Sequence, residues 1–402
     1  CKKIELHKNI CYNKSISRIN ILKKIIMKNF KSYMEKAELD LNATGYEILN
    51  ETNKDQNDIL KGALIVGGNA TGKSTVLHSI RLLLSLLVWQ VNLRPIDYVC
   101  LFKERKGNMQ LTYEFLINNE NISYLIEGDD KGIYKEKIYI DNVERLNRLK
   151  EYAEYTSPNG NKTSIENLQR NQSAIRKVYF DTKFVDDATL RKWFEFLEKS
   201  IYIDQPNKKI YKSAGNSSII TYRDYFDKNG TDKFNQFLKQ IGNSQTVTYT
   251  NNYDNGRLKF NFENGQKDII VERKNMSFAL PITMESEGNQ TLINTIPIVF
   301  ETMRNGGMAV IDEFSSGFHN TLEEKIIKYF MENSKDAQLL LVSHSTNLLT
   351  NNLLRPDQIY TVDFIDGKGS VLNRVSDSKP REAQNLEKMY LSGVFNGLPN
   401  IK

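Results

Sequence analysis

The stretch GGNATGKS, running from Gly67 to Ser74, places glycines at its first and sixth positions and follows them with a lysine and a hydroxyl. That spacing fits G-x-x-x-x-G-K-[ST] and suits one task, the holding of phosphate. Gly67, Gly68 and Gly72 let the backbone curl so that the N–H groups of Asn69, Ala70 and Thr71 point inward. Lys73 then reaches the β- and γ-phosphates of a nucleotide, and Ser74, with Thr75 beside it, offers a hydroxyl to Mg²⁺. The apolar run GALIVGG (62–68) predicts a buried strand before the loop, and the pattern from Thr71 to about Gln90 predicts a helix whose N-terminus adds a positive dipole end. Strand, glycine loop and helix are the context this motif needs.

A second candidate is GMAVIDE (307–313). Apolar strand residues deliver two adjacent carboxylates. Successive strand residues point to opposite sides, so the two can divide the labour. Asp312 is expected in the Mg²⁺ shell. Glu313 is expected to orient and deprotonate an attacking water. A third candidate follows 32 residues after Asp312, where LLVSHS places His344 at the end of another apolar run. An imidazole there can contact a γ-phosphate oxygen. A fourth stretch, MESEGNQTLINT from Met284, reads by itself only as a polar, glycine-broken turn that starts a helix.

These groups need elements to hold them. The apolar segments around 62–68, 307–313 and 338–344 predict buried strands in an α/β pattern, and 25–41 predicts a strand, a turn and a second strand. QLTYEFLI, ISYLIEG and KIYI between 110 and 140 predict antiparallel strands. Lys73 and Asp312 lie 239 residues apart, more than a compact nucleotide domain needs. The composition turns Asn-, Lys- and Glu-rich with helical periodicity near 143. We therefore expect a basic extension over 1–26, upstream of a start at Met27. An N-terminal lobe with the phosphate loop follows over 27–142. A mainly helical insertion is expected over 143–283, with a hairpin near Asn255-Gly256, and a C-terminal lobe over 284–402.

The net charge of +6 does not by itself point to nucleic acid. Residues 1–26 carry seven basic side chains against one acidic, and the other 376 carry 48 of each sign. Clusters such as Lys103–Lys106 and Arg145–Lys150 read as solvated faces. Three cysteines, Cys1, Cys11 and Cys100, form neither a disulfide framework nor a metal pattern, so a reducing cytoplasm is the expected compartment. No run of about 18 apolar residues occurs, so no membrane span is expected.

Taken in order along the chain, these motifs resemble the ABC-fold ATPases. Within them the resemblance is to the SMC, RecF and OLD branch, and to the stand-alone AAA-type ATP-binding proteins of bacterial abortive-infection and anti-phage systems. NFKSY (29–33) is similar to the N-F-K-S-F after the first strand of that branch. DEFSSGFHN (312–320) is similar to D-E-x-x-x-x-L-H-P, with Phe318 in place of Leu and Asn320 in place of Pro. EKMYLSGVFNGLPNI resembles the Tyr-Leu-x-Gly…Pro tail of the abortive-infection ATPases, with Asn396 where Gly is frequent. The resemblance covers most of 27–140 and 284–400.

It implies an α/β ABC-type P-loop ATPase head, a mixed sheet with an antiparallel subdomain and a largely helical insertion. It implies ATP and Mg²⁺ as cofactors, and hydrolysis with Lys73, Glu313 and His344 as catalytic residues. It implies a homodimer or higher oligomer in which Ser286 and Gly288 act as the signature, in trans, on nucleotide bound to the partner's phosphate loop. The SEGNQT run departs from the usual signature, which leaves its donors open. The fold also uses a glutamine between loop and signature, and spacing does not decide between Gln90 and Gln110. Two roles follow: sensor or platform subunit of an anti-phage system beside a separate nuclease or toxin, or a RecF/SMC-like DNA-maintenance ATPase. Only 58 residues follow His344, too few for a Toprim nuclease, which favours a separate effector. DNA stays open as a partner.

Overall fold

The computed structural model describes residues 20–89, 94–102, 108–214, 217–256, 259–262, 265–274, 276–316 and 318–398. The chain opens with β1 (Asn20–Lys28) and β2 (Ala37–Asp40), then one helical turn, α1 (Asn50–Asn53). β3 (Gly62–Gly67) and α2 (Lys73–Leu87) follow. Six strands come next: β4 (Met109–Ile117), β5 (Glu120–Asp129), β6 (Gly132–Ile140), β7 (Val143–Leu149), β8 (Tyr152–Thr156) and β9 (Lys162–Ile165). After α3 (Ala174–Thr182) and α4 (Ala188–Glu198) come β10 (Ile201–Asp204), β11 (Lys209–Ala214) and β12 (Ser217–Ile219). Helices α5 (Tyr222–Asn229) and α6 (Asp232–Gln240) precede five short strands, β13 (Gln245–Thr250), β14 (Asn252–Asp254), β15 (Lys259–Asn261), β16 (Asp268–Arg273) and β17 (Leu280–Pro281). The last third holds α7 (Glu287–Asn305), β18 (Gly307–Asp312), α8 (Asn320–Asn333), β19 (Ala337–Val342), β20 (Ile359–Ile365), β21 (Gly369–Arg374) and α9 (Leu386–Leu391).

Two eight-stranded sheets organise the molecule. One is antiparallel, in the order β2-β1-β4-β5-β6-β7-β8-β9. The other is mixed, in the order β12-β11-β10-β18-β19-β3-β20-β21. Within it β10, β18, β19, β3 and β20 run parallel to one another, flanked by antiparallel β11 and β21. Buried parallel strands read as continuous apolar runs because both faces are covered. Period-two alternation deals their side chains to two cores. Ala63, Ile65, Met308, Val310, Leu340 and Val342 join the core shared with α2, α4 and the antiparallel sheet. Leu64, Val66, Ala309, Ile311, Leu339 and Leu341 join the core under α5, α6, α7 and α8. Truncating one of the larger of these side chains costs about 2–5 kcal/mol.

Two expected boundaries are corrected. Residues 20–26 form most of β1, with Ile21, Leu22 and Ile25 at 1%, 1% and 0% exposure. The buried Gln338 side chain accepts from the Leu22 N–H at 2.8 Å and donates to its carbonyl at 2.9 Å. A division at 26/27 therefore cuts a core strand, and residues 1–19 lie outside the described part. The stretch 143–283 is not mainly helical. It holds four helices but also β7–β17, and much of it is continuous with the lobes. β7 pairs with β6 as the antiparallel sheet continues, and β10 enters the central sheet beside β18. In β7 and β8 polar residues such as Asn147 take exposed strand positions and leave the inward apolar positions of Leu146, Ala153 and Tyr155 intact. The hairpin expected at Asn255-Gly256 forms between β14 and β15. Among the described residues no helix is long and apolar enough to cross a membrane.

Candidate active site

The carboxyl ends of β3, β18 and β19, neighbours in the central sheet, bring together the groups singled out above. The loop after β3 needs its glycines. Gly67 has φ 156° and Gly72 φ 103°, and a Cβ on Gly72 would lie 2.2 Å from Ser370 Oγ. Ala70 is also left-handed, at φ 59°. The NFKSY segment packs on this loop. Tyr33 OH donates to the Gly72 carbonyl at 3.4 Å, and Ser32 Oγ donates to Thr75 Oγ1 at 3.3 Å. Lys73 opens α2 and is buried, its Nζ donating to the Gly68 carbonyl at 2.6 Å. Thr71 Oγ1 donates to the same carbonyl at 3.0 Å. Burial lowers the Lys73 pKa, and the Glu313 and Asp312 carboxylates oppose that shift.

Asp312 ends β18 with 6% exposure. Its Oδ2 accepts from Tyr202 OH at 3.3 Å. Its Oδ1 is buried and meets no hydrogen-bond partner among the described residues. Burial raises its pKa, the Ser74 and Tyr202 hydroxyls hold it down, and Asp204 and Glu313 push it up. A buried carboxylate with one unanswered oxygen, beside the Ser74 hydroxyl, fits a hard divalent cation. Ser74 and Asp312 are the residues that would hold it.

Glu313 has φ 55°, a left-handed backbone that costs a non-glycine residue about 1 kcal/mol or more. The strand ends at Asp312, so this turn, rather than strand alternation, separates the directions of the two carboxylates. Glu313 still acts on the charges of Lys73, Asp312 and His344. His344 stands two residues past β19, exposed to solvent, with its backbone N–H on Ser315 Oγ at 3.1 Å. Desolvation of the ring and then the Lys73 ammonium lower its pKa, with Glu313 opposing. The imidazole is neutral near pH 7.

Ser286 caps α7, its Oγ accepting from Asn289 N–H at 3.4 Å, and Gly288 lies in the first helical turn. Among the described residues no hydrogen bond or ion pair joins either of them to 67–75, 312–313 or 344. Gln110 sits on β4 in the antiparallel sheet and donates to Glu127 at 3.1 Å. Gln90 lies outside the described residues.

Sequence reasoning missed the strand beside β18. β10 reads IYID and ends on Asp204, which pairs in register with Asp312, and Gln205 follows it. Gln205 is buried and donates to Thr295 Oγ1 at 3.3 Å. Arg81 NH1 lies 3.6 Å from Asp204 Oδ2 and its guanidinium covers the Tyr202 ring. His78, on α2, stands between Lys31 Nζ at 3.2 Å and Asp312 Oδ2 at 3.7 Å. The signal was present, since IYIDQ repeats the pattern of AVIDE, three apolar strand residues closed by an aspartate.

Residues 63–350 match the family described as "AAA domain, putative AbiEii toxin, Type IV TA system". The chain belongs to this family. The AbiEii-type AAA chain also shares its fold with SMC heads. It is similar, at 14% identity and a TM-score of 0.50, to an SmcHead bound to the C-winged helix domain of ScpA, over 87% of this chain and 96% of that one. It is similar, at 11% identity and a TM-score of 0.50, to an Smc head with an extended coiled coil from Pyrococcus furiosus, bound to the C-terminal domain of ScpA, over 90% of this chain and 98% of that one. Among curated proteins no match to the AbiEii-type AAA chain is found. The expected α/β head, with a mixed sheet and an antiparallel subdomain, is the observed fold.

Proposed function

We propose that this chain is an ABC-type ATPase that closes as a dimer around ATP and serves as the sensor or platform subunit of a bacterial abortive-infection system with a separate effector. The observation that carries the ATPase reading is the convergence of Lys73, Asp312, Glu313 and His344 at three adjacent strand ends. The N–H groups of the 67–75 loop and the Lys73 ammonium bind the β- and γ-phosphates. Mg²⁺, when bound by Ser74 and Asp312, shields the phosphate charge. Glu313 aligns a water in line with the γ-phosphorus and takes its proton as the new P–O bond forms. The bond to the bridging oxygen breaks and ADP leaves with the electron pair. The neutral His344 imidazole donates to a γ-phosphate oxygen. Gln205, at the end of the strand beside Asp312, is the glutamine we assign to the site in place of Gln90 or Gln110.

That no hydrogen bond or ion pair joins Ser286 or Gly288 to their own phosphate loop among the described residues supports their action on a partner's nucleotide. The family's description, which names a type IV toxin–antitoxin system, supports the toxin–antitoxin setting. An SMC-like role in DNA maintenance is the second reading, favoured by the shared head fold. Against it, the longest described helix between 143 and 283 is α4, with 11 residues, too short for the long coiled coil of that class. Purified protein tested for Mg²⁺-dependent release of phosphate decides the ATPase reading, and no release above a Lys73→Ala control would sink it. Phage challenge of cells with and without the neighbouring genes tests the defence role. ATP-dependent, salt-sensitive DNA binding without any defence phenotype would favour the second reading.

A further inference from the structure

The segment from Leu386 to Gly397 is anchored at both ends beside the candidate site. Asn385 caps α9, accepting from Lys388 N–H at 2.8 Å. Three left-handed residues, Gly393, Asn396 and Gly397 at φ 81°, 59° and 80°, then fold the chain back. Leu386, Tyr390 and Phe395 are buried at 1%, 4% and 3% exposure. The Phe395 carbonyl accepts from the buried Thr361 hydroxyl at 2.6 Å. The Gly397 carbonyl accepts from Tyr390 OH at 3.0 Å and from the Gly68 N–H at 2.9 Å. At the other end Glu387 Oε1 accepts from Thr346 Oγ1 at 2.7 Å, two residues beyond His344.

One residue of the phosphate loop, Gly68, is therefore held through the two peptide groups that flank it. The N–H of Gly68 goes to the segment, while its carbonyl takes Lys73 Nζ. Lys73 must leave that carbonyl to reach a phosphate, and among the described residues Gly68 then keeps the Thr71 hydroxyl on its carbonyl and the Gly397 carbonyl on its N–H. The far end of the same segment meets the loop that carries His344, which is itself bonded to Ser315 in the turn after Glu313.

We infer that residues 386–397 form a strap that couples the phosphate loop to the His344 loop, with Glu387 and Tyr390 as positioning residues for turnover. The inference rests on the ATPase reading for its catalytic consequence, but not for its mechanical one. A strap held at both ends transmits the loss of one contact to the other, because the buried Tyr390 and Phe395 keep it stiff between them.

The test uses the full chain and two readouts. In steady-state ATP hydrolysis, Glu387→Ala is expected to lower kcat about tenfold and leave KM within about twofold, the size of one lost hydrogen bond to a charged group. Glu387→Gln keeps an accepting oxygen and is expected to restore most of kcat. Without nucleotide, amide hydrogen exchange in Glu387→Ala should speed up both in 344–347 and at the Gly68 N–H, more than ten residues from the substitution along any covalent path. Unchanged Gly68 exchange beside a loosened 344–347 loop overturns the coupling. A Glu387→Gln enzyme as slow as Glu387→Ala overturns the positioning role. If the wild type hydrolyses no ATP the ATPase reading fails, while the exchange measurement still decides the strap.

Discussion

Asp204 and Asp312 stand directly opposite each other at the ends of adjacent parallel strands. Burial raises the pKa of Asp312 and Asp204 adds to the rise, while Arg81 lies 3.6 Å from Asp204 Oδ2. Two buried carboxylates side by side repel, and a cation between phosphate and protein relieves that repulsion. Asp312→Asn is expected to abolish Mg²⁺-dependent turnover, by about a hundredfold or more. Asp204→Asn frees Arg81 to pair with Asp312 and should raise the Mg²⁺ needed for half-maximal rate several-fold. A Mg²⁺ titration of phosphate release checks both. Equal, small effects would show that Asp312 has no special place in the metal shell.

Glu313→Gln should retain ATP binding and lose about a hundredfold or more in turnover, because the amide cannot take the proton of the attacking water. Its undiminished binding should trap the closed dimer, visible as a doubled mass in sedimentation with ATP. Lys73→Ala should lose binding itself, measured by calorimetry. Wild-type turnover in Glu313→Gln would falsify the assignment.

The proposed composite sites predict recovery on mixing. Lys73→Ala lacks a working phosphate loop, and Ser286→Arg lacks a working signature. Each alone should be inactive. In their mixed dimer one site draws its loop from one chain and its signature from the other, both intact. About a quarter of wild-type activity is expected from equal mixing with free exchange of the protomers of a symmetric dimer. No recovery would place Ser286 on its own chain's nucleotide.

Glu323 gives a stability test away from the nucleotide. It is fully buried on α8, and neither carboxyl oxygen meets a well-formed hydrogen bond among the described residues. Burial raises its pKa and Glu324 adds to the rise, while the Ser345 hydroxyl and His319 oppose it. The folded state therefore holds the proton more tightly than the unfolded chain. Stability falls as pH rises from the ordinary carboxyl value of 4.5 to the raised folded one, and stays reduced above it, at about 1.4 kcal/mol per unit of elevation. Glu323→Gln should raise Tm at pH 8 and lose that advantage by pH 4. A Tm lowered equally at both pH values would show that the carboxyl is not held neutral.

Much of the site was legible because local chemistry dictates it. A loop that wraps phosphate needs glycine where φ is positive and a lysine where the helix begins, and those constraints act within eight residues. Asn396, which stands where Gly is frequent in the resembled tail, adopts the left-handed φ 59°. β10 was harder to see. Its four residues are buried on both faces, and such a short run carries no period that tells strand from helix. The 143–283 stretch misled because polar, Asn-rich strands with one buried face resemble helix and loop in composition, and only their pairing with β6 and β18 defines them.

The sequence by itself determined the motifs: the glycine-lysine loop, the Asp312-Glu313 pair, the His344 strand end and their order, since each is set by residue types over a few positions. Only the tertiary structure decided which groups meet. It set Asp204 beside Asp312, placed Gln205 rather than Gln110 at the sheet end, made residues 20–26 core, and laid the Leu386–Gly397 segment against Gly68. Those contacts join residues up to some 330 positions apart in the chain, through strand register and burial that no short window of sequence encodes.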